Sequence, residues 1–156
     1  MNDELTMYLA ERVRCFAQRW NKIEQDIRDA SQREETLLRE QYSGDEYHFV
    51  SRTDWFEKMA IQIAPLFDAF CTDKQRVYGG KSPKSFGFPA KFNGIESPAE
   101  LRVELKTKTR AEVYVKTSTS FEDEYLFVVL KKAGEWKIDG YKNRRYGDEK
   151  WAAKIL

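Results

Sequence analysis

Residues 126–142, LFVVLKKAGEWKIDGYK, constrain the fold of this chain more than any other stretch. Leu126, Val128 and Leu130 alternate with Tyr125, Phe127 and Val129, so a strand here is apolar on both faces and belongs in the middle of its sheet. Lys132-Ala133-Gly134 suits a three-residue turn with Gly134 in the left-handed conformation. That turn sets Leu130 opposite Trp136, Val128 opposite Ile138 and Lys131 opposite Glu135. Apolar residues then face one another and opposite charges pair, as cross-strand packing favours. In this register Asp139 and Tyr141 fall on the other face.

Upstream of the hairpin the period is also two. Leu101, Val103 and Leu105 alternate with Arg102, Glu104 and Lys106. Ala111, Val113 and Val115 alternate with Glu112, Tyr114 and Lys116. These are half-exposed strands of a meander. Pairing Val103 with Val113 would oppose Glu104 and Glu112. A two-residue shift, with Glu112 beside Lys106 or Arg102, is the expected register.

The first 71 residues have helical period instead. Leu9, Val13, Phe16, Trp20, Ile23 and Ile27 form one stripe. A helix over 3–42 would be roughly 60 Å long, so a break is expected near Asp29–Ser31. Ser31 and Glu34 would cap a second, polar helix up to Tyr42. After a linker at Ser43–Asp45, the residues Phe56, Met59, Ile63, Leu66 and Phe70 form another stripe. Thr53 is its expected cap, and Pro65 is expected to divide it into helices at about 54–63 and 65–71. Residues 79–98 contain four of the eight glycines and three of the four prolines. With Phe86, Phe88 and Phe92 they predict an ordered loop whose aromatics either plug the mouth of the sheet or form an exposed patch.

Helices followed by strands predict one α+β domain over 1–156. A helical layer (3–71) and a loop region (72–99) precede an antiparallel sheet (100–145) and a short C-terminal segment (146–156). With 41% apolar and 34% charged residues the composition is that of a folded globular chain. The net charge of +1 gives no overall attraction to nucleic acid. Charge is uneven, however: residues 1–50 carry 7 Lys/Arg against 11 Asp/Glu, and the remainder 20 against 15. No apolar run has membrane-spanning length and the acidic start Met1–Glu4 is unlike a secretory signal, so a cytoplasmic protein is expected. Cys15 and Cys71 lie in helical apolar patterns and are expected to be buried free thiols. The single histidine, His48, makes a zinc site unexpected and is read as structural or exposed.

Few residues suggest chemistry. Gly79-Gly80-Lys81-Ser82 imitates the end of a phosphate loop, but position 75 is Gln and no buried strand precedes it. Lys142-Asn143-Arg144-Arg145 reads as a solvated strand end. Glu122-Asp123-Glu124 reads either as a solvated strand start or as a surface complementary to a basic partner. No catalytic residue, metal site or cofactor is assigned.

The ordered series Asp68-Ala69-Phe70-Cys71-Thr72, Arg76-x-Tyr78-Gly79, Gly87-x-Pro89, Tyr125-x-Phe127, Gly134-x-Trp136-Lys137-Ile138-Asp139 and Gly147-Asp148-x-x-Trp151 resembles bacterial immunity proteins of the nuclear-transport-factor-like cone fold. It is carried by residues 50–156. Such proteins protect cells from polymorphic toxins, including Rhs-type and other contact- or type VI-delivered toxins. The resemblance implies N-terminal helices on a highly curved antiparallel sheet. It also implies a non-enzymatic protein whose partner is a cognate toxin domain. The expected toxin-binding residues are Glu122, Asp123, Glu124, Tyr78, Lys81, Phe86, Phe88, Lys91 and Phe92. The same fold hosts isomerases, dehydratases and cyclases, for which Asp139, Tyr114, Tyr125 and Tyr141 would be candidates. Asp139, beside Lys137 and Tyr141, reads instead as an ordinary paired carboxylate. A homodimer through the sheet faces is a third arrangement.

Overall fold

The computed structural model describes residues 2–77 and 79–156. Helices α1 (Asp3–Gln41), α2 (Asp45–Phe49) and α3 (Trp55–Phe70) precede strands β1 (Pro98–Thr107), β2 (Arg110–Thr117), β3 (Glu124–Lys132), β4 (Glu135–Arg144) and β5 (Ala152–Lys154). The strands form one antiparallel meander in chain order, with β3 at its centre. β5 extends the sheet beyond the residues expected to form it.

The expected break in α1 is absent: the helix runs 39 residues without interruption. No glycine or proline interrupts it, and the side chain of Asn2 caps its start by accepting from the Glu4 amide at 2.8 Å. Its polar second half is held by the segment that follows it. Glu34 accepts from the Thr53 amide at 3.0 Å and from the Thr53 hydroxyl, and Glu35 accepts from Tyr47 and Arg52. Glu34 therefore fixes the α2–α3 linker rather than capping a new helix.

Pro65 likewise does not divide α3. It lies inside one helix of 16 residues, capped by Asp54 rather than Thr53. Pro65 and Ile61 are both exposed, so water can satisfy the Ile61 carbonyl that proline leaves without a donor. Met59, Ile63, Leu66, Phe67 and Phe70 are buried, whereas Phe56 of the expected stripe is exposed.

Two strand registers differ from expectation. In β1–β2, Val103 does pair with Val113, and Glu104 directly opposes Glu112. Lys106 makes this tolerable, with its Nζ 3.0 Å from Glu104 and 3.3 Å from Glu112. One cation flanking both carboxylates does what a shifted register would have done. In β3–β4 the turn has two residues, Ala133 (φ 50°) and Gly134 (φ 81°), with Lys132 paired to Glu135. Positive φ at both positions is the primed turn that matches strand twist. Val129 then pairs with Ile138, and Val128 with Gly140, leaving Asp139 as the extra residue of a bulge. A bulge reverses the inside–outside alternation beyond it. Tyr141 is therefore buried on the same face as Trp136 and Ile138, contrary to the expected placement.

The buried faces of β2, β3 and β4 enclose one core with α1 and α3. Phe92, from the long loop, is at its centre. Its ring lies 5.8 Å from Phe16, 6.2 Å from Trp20, 5.6 Å from Phe127 and 5.1 Å from Tyr141. Among the described residues no helix is long and apolar enough to cross a membrane.

Candidate functional site

Two α1 residues, Asn21 and Glu24, grip the loop that crosses the mouth of the sheet. Asn21 holds the backbone of Phe92 at both ends, donating to its carbonyl at 2.9 Å and accepting from its amide at 3.0 Å. Glu24 is buried and accepts from Trp20 Nε1 (3.1 Å), the Gly87 amide (2.9 Å) and the Lys91 amide (2.9 Å). Its carboxylate is committed to structure. So is Asp139, which accepts from Thr72 Oγ1 at 2.8 Å and Lys74 Nζ at 3.0 Å. Burial raises its pKa, but hydrogen bonds from Lys74 and Thr72 more than offset this and hold it below the usual carboxylate range. The enzyme-like cast of Asp139, Tyr125 and Tyr141 is not assembled around an open space. Both tyrosines are buried, Tyr125 donates to the Asn93 carbonyl at 2.8 Å, and Tyr141 packs on Phe92 and Phe127.

Outside this plugged interior the loop forms a cleft of 690 Å³, adjoining a smaller one of 450 Å³ with which it shares Gly79 and Lys84. Six cations line the larger cleft: Lys74, Arg76, Lys81, Lys84, Lys132 and Lys137. Arg76 is fixed by donating to Thr72 O (2.8 Å), Thr72 Oγ1 (2.9 Å) and Asp139 O (3.1 Å), which ties the segment 72–76 to the β4 bulge. Lys137 donates to the Asp68 and Ala69 carbonyls at 2.9 and 3.2 Å, placing a cation at the C-terminus of α3.

The residues expected to form a binding surface divide sharply. Phe92 is fully buried and is core, because Asn21 draws its backbone inward. Phe86 is half-buried against Phe56. Phe88 is 81% exposed, with the Arg28 guanidinium 5.0 Å from its ring. Lys81 is exposed and pairs with Asp68. Tyr78 lies outside the described residues.

Lys91 is half-buried, with its ammonium 4.6 Å from the Trp20 ring and 5.7 Å from the Tyr141 ring. Burial depresses its pKa to about 8, against the opposing pull of Glu24. Above about pH 8 the folded chain releases a proton that the unfolded chain keeps until near 10.5, so Lys91 makes stability rise with pH across that interval. Cys71, whose buried thiol is pushed up to about 12, acts oppositely above pH 9. Comparing urea unfolding of the wild type and Lys91→Met at pH 7.5 and 9.5 isolates the effect. The wild type should gain on the order of 1–2 kcal/mol relative to the variant; no relative gain would contradict this environment for Lys91.

The acidic run at the opposite end of the sheet is mostly consumed internally. Asp123 is buried and accepts from Thr119 Oγ1 at 2.8 Å and Arg145 Nε at 3.1 Å. Glu124 accepts from Arg144 Nε at 2.9 Å and from Tyr114. These contacts also occupy the two arginines of the 142–145 cluster. Glu122 alone is exposed, at φ 49°. Beside it stand two exposed aromatics that were not among the expected binding residues, Phe121 (62%) and Tyr146 (79%), joined by a hydrogen bond from the Tyr146 amide to the Phe121 carbonyl. The available signal was a lone aromatic next to charged turn residues in each loop. Gly94 (φ 87°) lets the long loop pass this end, where a Cβ would lie 2.6 Å from Thr119.

Cys15 is half-buried and Cys71 buried, and both are free. His48 is exposed against the edge of Tyr47. Among the described residues no group of histidines, cysteines and acids could hold a metal.

A helical layer, a curved five-stranded sheet and a plugged interior agree with the comparisons to known proteins. The family model of the NTF2 fold immunity protein matches residues 45–154, and the chain belongs to that family. It is also similar to the immunity protein RhsIA of Dickeya dadantii (strain 3937), with 27% identity over 90 residues, 58% of this chain. The match spans 64% of that relative's length. No solved structure matches the chain significantly.

Proposed function

We propose that this protein binds a cognate polymorphic toxin domain, of Rhs or another contact- or type VI-delivered type, and blocks its active site or substrate access. It acts in the cytoplasm of the cell it protects and performs no reaction of its own. Membership of the immunity family over residues 45–154 carries this reading. The aromatic packing around Phe92 supports it, because the space that a small-molecule enzyme of this fold would use is filled by side chains. Two surfaces open to a partner are the cationic loop face and the exposed tip formed by Phe121, Glu122 and Tyr146. Charge reversal at Glu122 bears on the tip, since Asp123 and Glu124 are already paired within the fold.

Growth of cells expressing the toxin domain encoded next to this gene tests the proposal. Co-expression of this protein should restore growth. Continued killing despite soluble expression of both proteins would refute the pairing.

A further inference from the structure

We propose that the 690 Å³ cleft is the seat of an acidic segment of the toxin domain, a loop or helix end presenting at least two carboxylates. This rests on the immunity reading and specifies the chemistry of the partner. Six cations but only two carboxylates, Asp68 and Asp73, line the cleft of a chain whose net charge is +1, so positive charge is concentrated here. Internal pairing uses only part of it. Lys74 is held by Asp139 and Lys81 by Asp68, whereas among the described residues Lys84 and Lys132 make no ion pair. The cationic residues come from separate places, namely the segment after α3, the glycine turn and the β3–β4 hairpin. Between them lies an apolar floor of Phe67 and Cys71. Cationic walls over a packed floor suit a polypeptide with both carboxylates and apolar stems.

Phosphate and nucleic acid fit less well. Two of the four amides of the Gly79–Ser82 turn are already used: Gly80 N donates to the Leu156 carbonyl at 2.6 Å, and Ser82 N to the Gly79 carbonyl at 3.2 Å. A phosphate cradle needs successive free amides, and this turn has every second one occupied. The only aromatic ring among the lining residues described is that of Phe67, and the Arg76 guanidinium lies 5.4 Å from its centroid, so a base has no free stacking platform.

The test is titration calorimetry of the full chain with the purified neighbouring toxin domain, at two salt concentrations. The variant is Lys84→Glu with Lys132→Gln, two exposed positions; the neutral exchange at 132 avoids opposing two carboxylates across the Lys132–Glu135 pair and should leave the thermal midpoint nearly unchanged. The expected result is a loss of about tenfold or more in affinity together with a weaker salt dependence. Wild-type affinity and salt dependence in the variant would overturn the cleft assignment while leaving the immunity reading intact. Absence of binding by the wild type would overturn both. Binding of a 30-nucleotide single strand by the wild type that the variant loses would overturn the acidic segment in favour of nucleic acid.

Discussion

Phe92→Ala is expected to destabilise the fold by about 3–5 kcal/mol, the largest effect of any single substitution considered. Phe92 comes from a loop, yet its ring is fully buried and contacts aromatics from α1, β3 and β4. Truncation leaves a cavity that these rings cannot close, because each is fixed by its own helix or strand. It also weakens the reason for residues 85–95 to lie across the sheet. Urea unfolding should show a lower midpoint, and limited proteolysis should cut first between Pro83 and Ala90. Phe92→Leu keeps most of the volume and should cost less than half as much. A loss below about 1 kcal/mol for the alanine variant would mean that Phe92 does not organise the core.

Glu24→Ala should cost about 2–4 kcal/mol by a different mechanism. The carboxylate accepts from one indole and two backbone amides. Its removal strands three donors, each worth about 1–3 kcal/mol when buried without a partner. Water entering from the adjoining 450 Å³ cleft recovers part of this. Glu24→Gln retains one accepting oxygen and should fall between the wild type and the alanine variant. Hydrogen exchange distinguishes the mechanism: the Gly87 and Lys91 amides should lose protection before the amides of α3 do. Equal loss throughout the chain would indicate a general packing defect instead.

Much of the fold is legible in local periodicity. The α1 stripe, the β1 and β2 alternation and the central position of β3 all follow from residues a few positions apart. Expectation and structure part where a contact outside the local pattern decides. The continuity of α1 depends on Glu34 and Glu35 reaching Thr53, Tyr47 and Arg52, and helix length alone is a poor guide to that. The opposed Glu104 and Glu112 are tolerated because Lys106 sits beside both. The single extra residue at Asp139 moves Tyr141 into the core. Glu24 was detectable: it lies four residues after Trp20 and three before Ile27, so a carboxylate occupies the buried stripe and needs donors there. The cationic cleft was only partly detectable. Lys81 stands in an evident loop, but Lys132 reads as a turn residue and Lys137 as an ordinary strand residue until the chain folds.

Purified toxin activity, titrated with this protein, tests the central claim most directly. A blocking protein should abolish activity at one equivalent, with activity recovered in proportion as the complex is dissociated. Loss of toxin activity at a small fraction of an equivalent, continuing with time, would show turnover and contradict a binding mechanism. Undiminished activity at several equivalents would contradict toxin neutralisation altogether.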